Sequence, residues 1–425
     1  HSLADHNNIQ YICNHNEQAS AMAADGYSRV SGKTGVAVTT SGPGATNLIT
    51  GICCSYYDSI PSLFITGQVS TMRMKGDTGV RQIGFQETPI VDIAEEITKY
   101  AYTIVDPEEI KYQLQKALHI AKSGRPGPVL IDIPDDLQRQ LVDPLKLKNF
   151  QAPAAQELPH LKNSLQDTID SIMNSKRPIL IAGWGVHLSH TEAEFLKFAE
   201  SFNIPIALTW GAADLIPFDH DLYVGTFGTH GNRHANFAVQ NADLIISLGS
   251  RLDTKSTGSP INTFAREAKK IMVDIDINEL NKFQYFDLKF DQLIHCDLKD
   301  FFNNFSKLEP TKDTSNNLEW LKQINKWKHQ FISFDDTKGI ATTQVNPYNF
   351  VDSISNNLKG NEQIFIDTGC SIAWFMQSLR VKDKVRVFHD FNNTAMGWAL
   401  PAAIGGYYAN LKHQSPIIAI IGDGS

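Results

Sequence analysis

Glu17 is the carboxylate whose place in the sequence suits acid-base chemistry. Glu17 comes just before a run of small residues, and an apolar run (Gly35–Thr39) and a glycine-proline turn (residues 41–44) follow it. This order predicts a strand, a tight turn and a helix N-terminus, which together bind ligands at the carboxyl end of a strand. Small residues permit close approach, so we expect a flat organic ligand or a second subunit to lie against this face. A lone Glu at this position is also typical of a solvated first-turn residue that opposes the helix dipole.

The strings around Glu17 resemble a known family. NEQASAMAADGYSRVSGKTGV (16–36) and SGPGATN (41–47) are similar to the pyrimidine-binding domain of thiamine diphosphate enzymes, most closely the acetohydroxyacid (acetolactate) synthase group. The resemblance implies that Glu17 bonds the aminopyrimidine of the cofactor and is the catalytic acid-base, preferably protonated in a dry site. It also implies cofactor contacts from Pro43, Gly44 and Asn47.

Size and charge narrow the class of protein. At 425 residues the chain is expected to hold two or three domains. A net charge of -8 argues against nucleic acid and anionic membranes as partners. Five scattered cysteines predict reduced thiols in a cytoplasmic protein, and no apolar run is long enough for a membrane span. The chain starts without Met and stops on GDGS, which predicts a fragment of a longer protein.

Apolar runs alternate with helical patterns along the whole chain. Alternation of this kind predicts parallel sheets covered on both faces. With the resemblance, it predicts an α/β fold of three doubly wound parallel-sheet domains, of which the first and last are incomplete: a pyrimidine domain (1–150) lacking its start, a middle Rossmann-like domain (160–310) and the first part of a diphosphate domain (340–425). A Pro- and Ala-rich linker is expected at 151–160. Strands are expected at 35–39, 62–66, 129–133, 178–182, 204–208, 244–248, 271–274 and 364–369, and helices at 108–122, 192–202, 316–334 and 348–358.

A second string in the first domain bears on the substrate. FQETP (85–89) resembles the glutamine-bearing loop near the reactive ring of the cofactor. The resemblance implies that Gln86 orients a substrate carbonyl or carboxylate and that Phe85 contacts substrate, although a Gln in a polar loop is often an ordinary surface residue. The loop before this string is longer than in the synthase group and carries Arg73, Lys75 and Arg81. These basic residues suit a larger anionic substrate, and equally a solvated loop.

The middle domain carries a longer match. FGTHGNRHANFAVQNADLIISLGSRLD (227–253) and VDIDINEL (273–280) resemble the middle domain of the synthase group, where such a turn, arginine and acidic pair cradle a flavin. An arginine can pair bidentately with a pyrophosphate, and a strand-end carboxylate can bond ribose hydroxyls. An inherited middle domain without cofactor is the alternative. Lys255 stands where the group has an arginine that holds the acceptor, which leaves the acceptor open. The implied flavin contacts are Arg125, His230, Gly231, Arg251, Asp274 and Asp276.

The last part of the chain resembles the diphosphate-binding domain of the same group. FNNTAMGWALPAAIGG (391–406) and IIAIIGDGS (417–425) carry this resemblance. It implies that Met396 and Gly397 pack on the pyrimidine and that Asp423, at the end of an apolar strand, is the first Mg²⁺ ligand. Cys370 and Ser371 replace a usual Gln-His pair. The implied contacts of the diphosphate are Gly369, Cys370, Ser371, Gly422, Gly424 and Ser425.

The resemblance implies a carboligase that decarboxylates pyruvate or a similar 2-keto acid and transfers the two-carbon unit to an acceptor carbonyl, as in branched-chain amino-acid synthesis. Three alternatives remain: transfer to a keto-sugar nucleotide, plain 2-keto-acid decarboxylation, and a non-catalytic paralogue. The implied cofactors are thiamine diphosphate, Mg²⁺ and, where the middle domain keeps it, FAD. The implied assembly is a homodimer or homotetramer with its active site at the subunit interface, which a small regulatory subunit could join.

Overall fold

The protein is described by a computed structural model that covers residues 3–154, 160–308, 317–332 and 345–423. These residues form an α/β fold with parallel sheets. They divide into two compact units, one of residues 1–154 with 390–425 and the other of residues 155–389. Of the predicted linker, residues 151–154 are irregular, and residues 155–159 lie outside the described part.

The first sheet has the strand order β1-β2-β4-β3 and is parallel throughout. Its three predicted strands are confirmed, and a fourth, which the sequence did not predict, lies at one edge. The predicted helix at 108–122 begins at 110, after a 3-10 turn at 107–109. The elements are α1 (Glu17–Ser31), β1 (Gly35–Thr39), α2 (Pro43–Thr46), α3 (Ile49–Tyr57), β2 (Ser62–Gln68), α4 (Ile90–Ala94), β3 (Tyr100–Thr103), α5 (Ile110–Lys122), β4 (Val129–Pro134) and α6 (Asp135–Gln138).

The middle sheet has six parallel strands in the order β10-β9-β8-β5-β6-β7. The strand order reverses between β5 and β8, since later strands are added on one side of β5 and then on the other. Ligands of open α/β sheets bind at the carboxyl ends of the strands beside such a switch point. Every residue of β5 and β8 is buried, as expected for central strands covered on both faces. The elements are α7 (Leu161–Asn174), β5 (Pro178–Ala182), α8 (Gly185–Leu188), α9 (Glu192–Phe202), β6 (Ile206–Leu208), β7 (Tyr223–Thr226), α10 (Arg233–Asn241), β8 (Leu244–Leu248), α11 (Thr254–Thr257), β9 (Lys269–Asp274), α12 (Ile277–Asn281), β10 (Gln292–His295) and α13 (Leu298–Phe305).

In the second unit, β11 and β12 pair in parallel in a third sheet, and β13 lies in the first unit. The strand predicted at 364–369 is shorter than expected and ends at Ile366. The helix predicted at 316–334 spans Leu318–Gln330, with residues 316, 333 and 334 outside the described part. Its tryptophans pack as predicted, since Trp320 is buried and its ring meets that of Trp327 edge-on. The elements are α14 (Leu318–Gln330), α15 (Pro347–Asn357), β11 (Gln363–Ile366), α16 (Cys370–Ser378), β12 (Arg386–Phe388), α17 (Ala399–Ala409) and β13 (Ile417–Ile420).

Helix α1 begins and ends with standard capping. The side chain of Asn16 accepts a hydrogen bond of 2.8 Å from the backbone N–H of Gln18, which satisfies one of the free donors of the first turn. Gly32 ends the helix with a φ of 65°, a left-handed conformation that glycine adopts without strain. These caps fix Glu17 as the first residue of the helix.

The small-residue face of α1 was expected to meet a ligand or a second subunit, and that expectation stays a prediction. In the structure, small residues of α1 pack against α17 of the same compact unit. A Cβ atom on Gly26 would clash with the backbone of Ala402, and one on Gly405 would clash with the backbone of Ala23. The two helix backbones therefore nearly touch, which only small residues at the crossing allow. The small residues serve helix packing.

Candidate active site

Glu17 lies beside the turn that follows β1. The side-chain amide of Asn47 donates a hydrogen bond of 3.0 Å to Oε2 of Glu17. This hydrogen bond holds the pKa of the Glu17 carboxyl below its ordinary value, because it stabilises the charged form. Glu17 is partly exposed, and its carboxyl group lies open to solvent in the single chain. The expectation of a dry, protonated Glu17 concerns the cofactor-bound site and stays a prediction.

The turn between β1 and α2 brings backbone close to that carboxylate. Gly42 has a φ of 63°, a conformation that favours glycine, and Pro43 begins the short helix α2. A Cβ atom on Gly44 would lie 2.7 Å from the methyl group of Thr40 and 3.6 Å from Oε1 of Glu17. Gly44 thus leaves open space next to the carboxylate, where a larger residue would not fit.

The loop that carries Gln86 reaches the same turn. A Cβ atom on Gly42 would lie 3.0 Å from both the Cβ atom and the carbonyl oxygen of Gln86, so the two backbones are in close approach. Gln86 has a φ of 64°, and the ring of its neighbour Phe85 is 87% exposed. The structure therefore brings Glu17, the glycine turn and Gln86 together at the carboxyl end of β1.

Sequence inspection missed the residue that holds this loop. Glu87 is buried, and its carboxylate accepts hydrogen bonds from the backbone N–H groups of Lys75 (2.5 Å), Ile83 (2.8 Å) and Gly84 (3.3 Å). Desolvation raises the pKa of this carboxyl group, but the backbone donors outweigh it and the pKa is lowered overall. The donors come from a loop whose folding no local pattern predicts, so the sequence offered only an acidic residue next to Gln86.

A second group of predicted residues follows β11. Gly369 has a φ of 102° and precedes α16, whose first residues are Cys370 and Ser371. Gly369 and Cys370 are exposed, and the hydroxyl group of Ser371 donates to the carbonyl oxygen of Asp367 at 3.2 Å. Exposed N–H groups at the start of a helix suit an anionic group.

The remaining predicted contacts of thiamine diphosphate lie in the last part of the chain. Met396 is 69% exposed, and Gly397 has a φ of 82°. Gly422 and Asp423 follow β13 and are exposed, whereas Gly424 and Ser425 lie outside the described residues. Among the residues described, no three His, Cys, Asp or Glu side chains are grouped as a metal site. Asp423, the predicted first Mg²⁺ ligand, would need further oxygen ligands for a complete Mg²⁺ site.

The predicted flavin residues of the middle sheet lie at the carboxyl ends of β7, β8 and β9. Asp274 ends β9, and one of its oxygens accepts the backbone N–H of Asp276, whose own carboxylate caps α12. Nε of Arg251 is buried and has no hydrogen-bond partner among the described residues. The ammonium group of Lys282 donates to the carbonyl oxygen of Arg251. An orphaned guanidinium donor near a second cation fits an anionic group such as a pyrophosphate.

The other predicted flavin and substrate residues have separate surroundings. Arg125, in the first unit, donates from Nε to the hydroxyl group of Ser59 at 2.8 Å. In the second unit, a Cβ atom on Gly231 would clash with the backbone of Phe227 at 2.6 Å, so glycine is needed for the turn to close. His230 and Lys255 both lie near the ring of Trp210. The centroid of the His230 ring is 6.4 Å from that of Trp210, and Nζ of Lys255 is 5.3 Å from the Trp210 centroid. Lys255 is therefore a point charge held over an aromatic ring.

Three family models match the chain. The N-terminal TPP binding domain of thiamine pyrophosphate enzymes matches residues 1–94, the central domain matches 165–303, and the C-terminal TPP binding domain matches 367–425. With the three parallel sheets and the cluster around Glu17, these matches define the class as thiamine pyrophosphate enzymes.

Curated relatives narrow the class. The probable acetolactate synthase large subunit of Methanocaldococcus jannaschii is 36% identical over 98% of this chain and 69% of its own length. The acetolactate synthase large subunit of Lactococcus lactis is 34% identical, with the same coverage. The chloroplastic acetolactate synthase of Arabidopsis thaliana is 33% identical over 100% of this chain and 62% of its own length. The chain belongs to the acetolactate synthase family of thiamine pyrophosphate enzymes, and the predicted family and fold class are confirmed.

Proposed function

We propose that the chain is the catalytic subunit of a thiamine diphosphate-dependent carboligase. It decarboxylates pyruvate or a similar 2-keto acid and transfers the two-carbon unit to an acceptor carbonyl, as in acetolactate formation for branched-chain amino acids. The observation that carries the proposal is the grouping of Glu17, Asn47, the Gly42–Gly44 turn and Gln86 at the carboxyl end of one strand.

Glu17 is the proposed acid-base group. When bound, thiamine diphosphate supplies an acidic carbon whose carbanion adds to keto groups and accepts the charge left by loss of carbon dioxide. Asn47 holds Oε2 of Glu17 in place, so the other carboxyl oxygen would be left to bond the aminopyrimidine and to hold or give up a proton. A ligand that covers Glu17 removes water from the carboxyl group and raises its pKa, so protonation accompanies binding.

Gln86 and Phe85 are the proposed substrate residues. The side-chain amide of Gln86 can donate to a substrate carbonyl or carboxylate, and Glu87 holds its loop against the Gly42 turn. The exposed ring of Phe85 supplies apolar surface that excludes water when substrate covers it. Because the Gln86 amide is held beside the acid-base group, it would orient the carbonyl of a keto acid for reaction with the cofactor.

The diphosphate end of the cofactor is assigned to other residues. Gly369, Cys370 and Ser371 offer backbone N–H groups at the start of α16. Met396 and Gly397 would contact the pyrimidine, and the exposed Asp423 would supply one carboxylate to Mg²⁺, with Gly422 beside it. The adjacent Gly424 and Ser425, which the structure does not describe, complete the proposed set.

FAD is proposed as a further cofactor of the middle sheet. The buried, unpartnered Nε of Arg251 supports an anionic ligand, and the carboxylates of Asp274 and Asp276 stand at the next strand end for ribose hydroxyls. His230 and Gly231 form the neighbouring turn, and Arg125 is assigned to the flavin ring. An absorbance spectrum of the purified protein tests this proposal: flavin bands near their usual visible wavelengths support it, and a protein that stays colourless after FAD is added contradicts it.

The proposed assembly is a homodimer or homotetramer with Glu17 and Asp423 of different subunits serving one cofactor. Exposed apolar side chains support association: Leu400, Ile404 and Tyr407 recur along α17, and Val36 and Val38 lie exposed on the edge strand β1. Relatives are described as large subunits, which supports a small regulatory partner. The described part of the chain has no helix long and apolar enough to cross a membrane. All five cysteines are free thiols, which supports our assignment to the cytoplasm.

The experiment that tests the function is product analysis with the full-length protein, pyruvate, thiamine diphosphate and Mg²⁺. Acetolactate is the expected product. Acetaldehyde as the main product would instead make the protein a plain decarboxylase, and turnover only after addition of a keto-sugar nucleotide would assign that acceptor. Glu17→Gln should lower turnover by at least about a hundredfold. The matched variant Glu194→Gln, at an exposed position on α9, should leave it unchanged.

A further inference from the structure

A buried cluster of charges lies under residues 390–397. The guanidinium group of Arg29, on α1, donates to Oδ1 of Asp25 at 2.7 Å and to Oδ2 of Asp58 at 2.8 Å. The side chains of all three residues are at most 1% exposed. The face of the Trp398 indole covers the guanidinium at 4.9 Å, and the indole N–H donates to Asp25 at 3.1 Å. Arg29 is therefore fixed from several sides.

Asp58 also binds the backbone of the segment that begins at residue 390. Its two carboxylate oxygens accept the backbone N–H of Phe391 at 3.0 Å and of Asn392 at 3.1 Å. The side-chain amide of Asn392 donates to Oδ1 of Asp58 at 2.9 Å and to the carbonyl oxygen of Tyr57 at 3.0 Å. A buried carboxylate with such donors holds the segment at one position, because leaving them unpaired is costly.

Asp390 holds the same segment at Ala395. Its Oδ2 accepts the backbone N–H of Ala395 at 2.7 Å and the thiol of Cys54 at 3.2 Å. The chain between these residues turns through Thr394, which has a φ of 55°, a conformation that costs a non-glycine residue free energy. The hydrogen bond from Ala395 to Asp390 spans this turn and retains it.

The cluster holds more acid than base. Asp25, Asp58 and Asp390 face the single cation Arg29. Burial is the main cause that raises the pKa of Asp58, to about 7, and burial likewise raises that of Asp390. The carboxylates of the cluster are held by Arg29 and by backbone donors, and among the described residues the cluster offers no group of ligands for a metal.

We propose that Asp58 and Asp390 are positioning residues that fix residues 391–397, and so determine where Met396 stands in the cofactor site. The inference rests on the proposed function, which places Met396 and Gly397 against the pyrimidine. Met396 is exposed at the tip of the segment, next to Ala395, and makes none of the anchoring hydrogen bonds itself. Loosening the anchors leaves the reacting groups intact but spreads Met396 over several positions. Cofactor affinity is then reduced, while turnover at saturating cofactor is largely retained.

The test compares Asp58→Asn with the matched control Asp167→Asn, an exposed aspartate on α7. Amide hydrogen exchange of residues 391–395 reports the anchoring directly, and titration with thiamine diphosphate and Mg²⁺ reports affinity. We expect faster exchange in Asp58→Asn and cofactor binding weakened about tenfold, with kcat at saturating cofactor within about twofold of wild type. The control should match wild type in every measurement.

A milder variant keeps the test decisive if Asp58→Asn does not fold. Asn392→Ala removes only the side-chain amide that bonds Asp58 and Tyr57, at a half-buried position, and should shift exchange and affinity in the same directions. Faster exchange with unchanged affinity in either variant overturns the inference while the proposed function stands. A wild-type protein that binds no thiamine diphosphate contradicts the proposed function and the inference with it.

Discussion

The side-chain amide of Asn47 donates a 3.0 Å hydrogen bond to the carboxylate of Glu17, across a separation of 30 residues. Asn47 follows the short helix α2, and Glu17 begins α1, so the bond joins the start of the helix before β1 to the end of the helix after it. It fixes which carboxyl oxygen is held by the protein and which is left for a ligand. The proposed acid-base group is therefore oriented before any cofactor binds.

Removal of the Asn47 amide should change both the charge state and the activity of the site. In Asn47→Ala the carboxylate loses its strongest stabilising donor, so the pKa of Glu17 should rise. Carboxyl-carbon NMR titration measures that shift, and turnover should fall about tenfold because the carboxyl group is less well oriented. Asn163→Ala, at an exposed position on α7, is the matched control. A Glu17 titration curve identical to wild type would show that the bond is not formed in solution.

Cofactor binding should be accompanied by proton uptake. Glu17 is ionised in the single chain at neutral pH because its pKa is lowered, and a ring that covers it raises that pKa by desolvation. Calorimetric titration with thiamine diphosphate in buffers of different ionisation enthalpy measures the protons taken up. We expect net uptake in wild type and a clear reduction in Glu17→Gln. Equal uptake in the two proteins would assign the proton to another group.

Cys370 should be protected by the diphosphate part of the cofactor. It is an exposed free thiol at the first position of α16, where we place the diphosphate. Alkylation followed by peptide mass spectrometry should show Cys370 labelled quickly in the free protein and at least about tenfold more slowly with thiamine diphosphate and Mg²⁺ present. Thiamine without phosphates is the control ligand and should protect much less. Labelling rates that the cofactor leaves unchanged would remove Cys370 from the site.

The second unit contains a buried pair whose stability depends on pH. Asp214 accepts from Nε2 of His187 at 2.9 Å and from Nε of Arg386 at 2.7 Å. Burial alone lowers the pKa of His187, but Asp214 and, through Nδ1, Glu192 outweigh it and raise the pKa overall. A raised histidine pKa gives stability that is complete below the ordinary value, about 6.5, and is lost as pH rises through the folded-state pKa.

Asp214→Asn should accordingly destabilise the second unit by about 3–5 kcal/mol, because it leaves the buried His187 and the partly exposed Arg386 without their carboxylate partner. Denaturant unfolding measured across pH 6 to 9 tests this. The gap between wild type and variant should narrow as pH rises. The exposed Asp219→Asn is the matched control. A gap that stays constant over this range would contradict a folded-state pKa of His187 that Asp214 raises within it.

The sequence predicted every central strand, and all the strands that it missed are edge strands. β5 and β8 are almost wholly apolar runs, which is typical of strands buried on both faces. The strands that it did not predict, β3, β7, β10 and β12, all lie at the edges of their sheets. An edge strand has one neighbour and needs less apolar surface, so short polar or aromatic segments such as Tyr100–Thr103 carry little signal.

Site residues divide in a similar way. Glu17, Asn47 and Gln86 were found because they stand in family strings, and the structure brings them together. Glu87 and Asp58 were not found, since each acts through backbone N–H groups whose position depends on tertiary folding. The crossing of α1 and α17 was also hidden, because small residues permit several kinds of close contact and the pattern does not say which.

The central claim is that Glu17 activates the acidic carbon of thiamine diphosphate. The most direct measurement is the rate at which the C2 proton of the bound cofactor exchanges with deuterium, followed by proton NMR after rapid acid quench, in wild type and in Glu17→Gln. Wild type should exchange this proton at least about a hundredfold faster than the variant. Equal rates, with cofactor fully bound to both proteins, would contradict the assignment of Glu17.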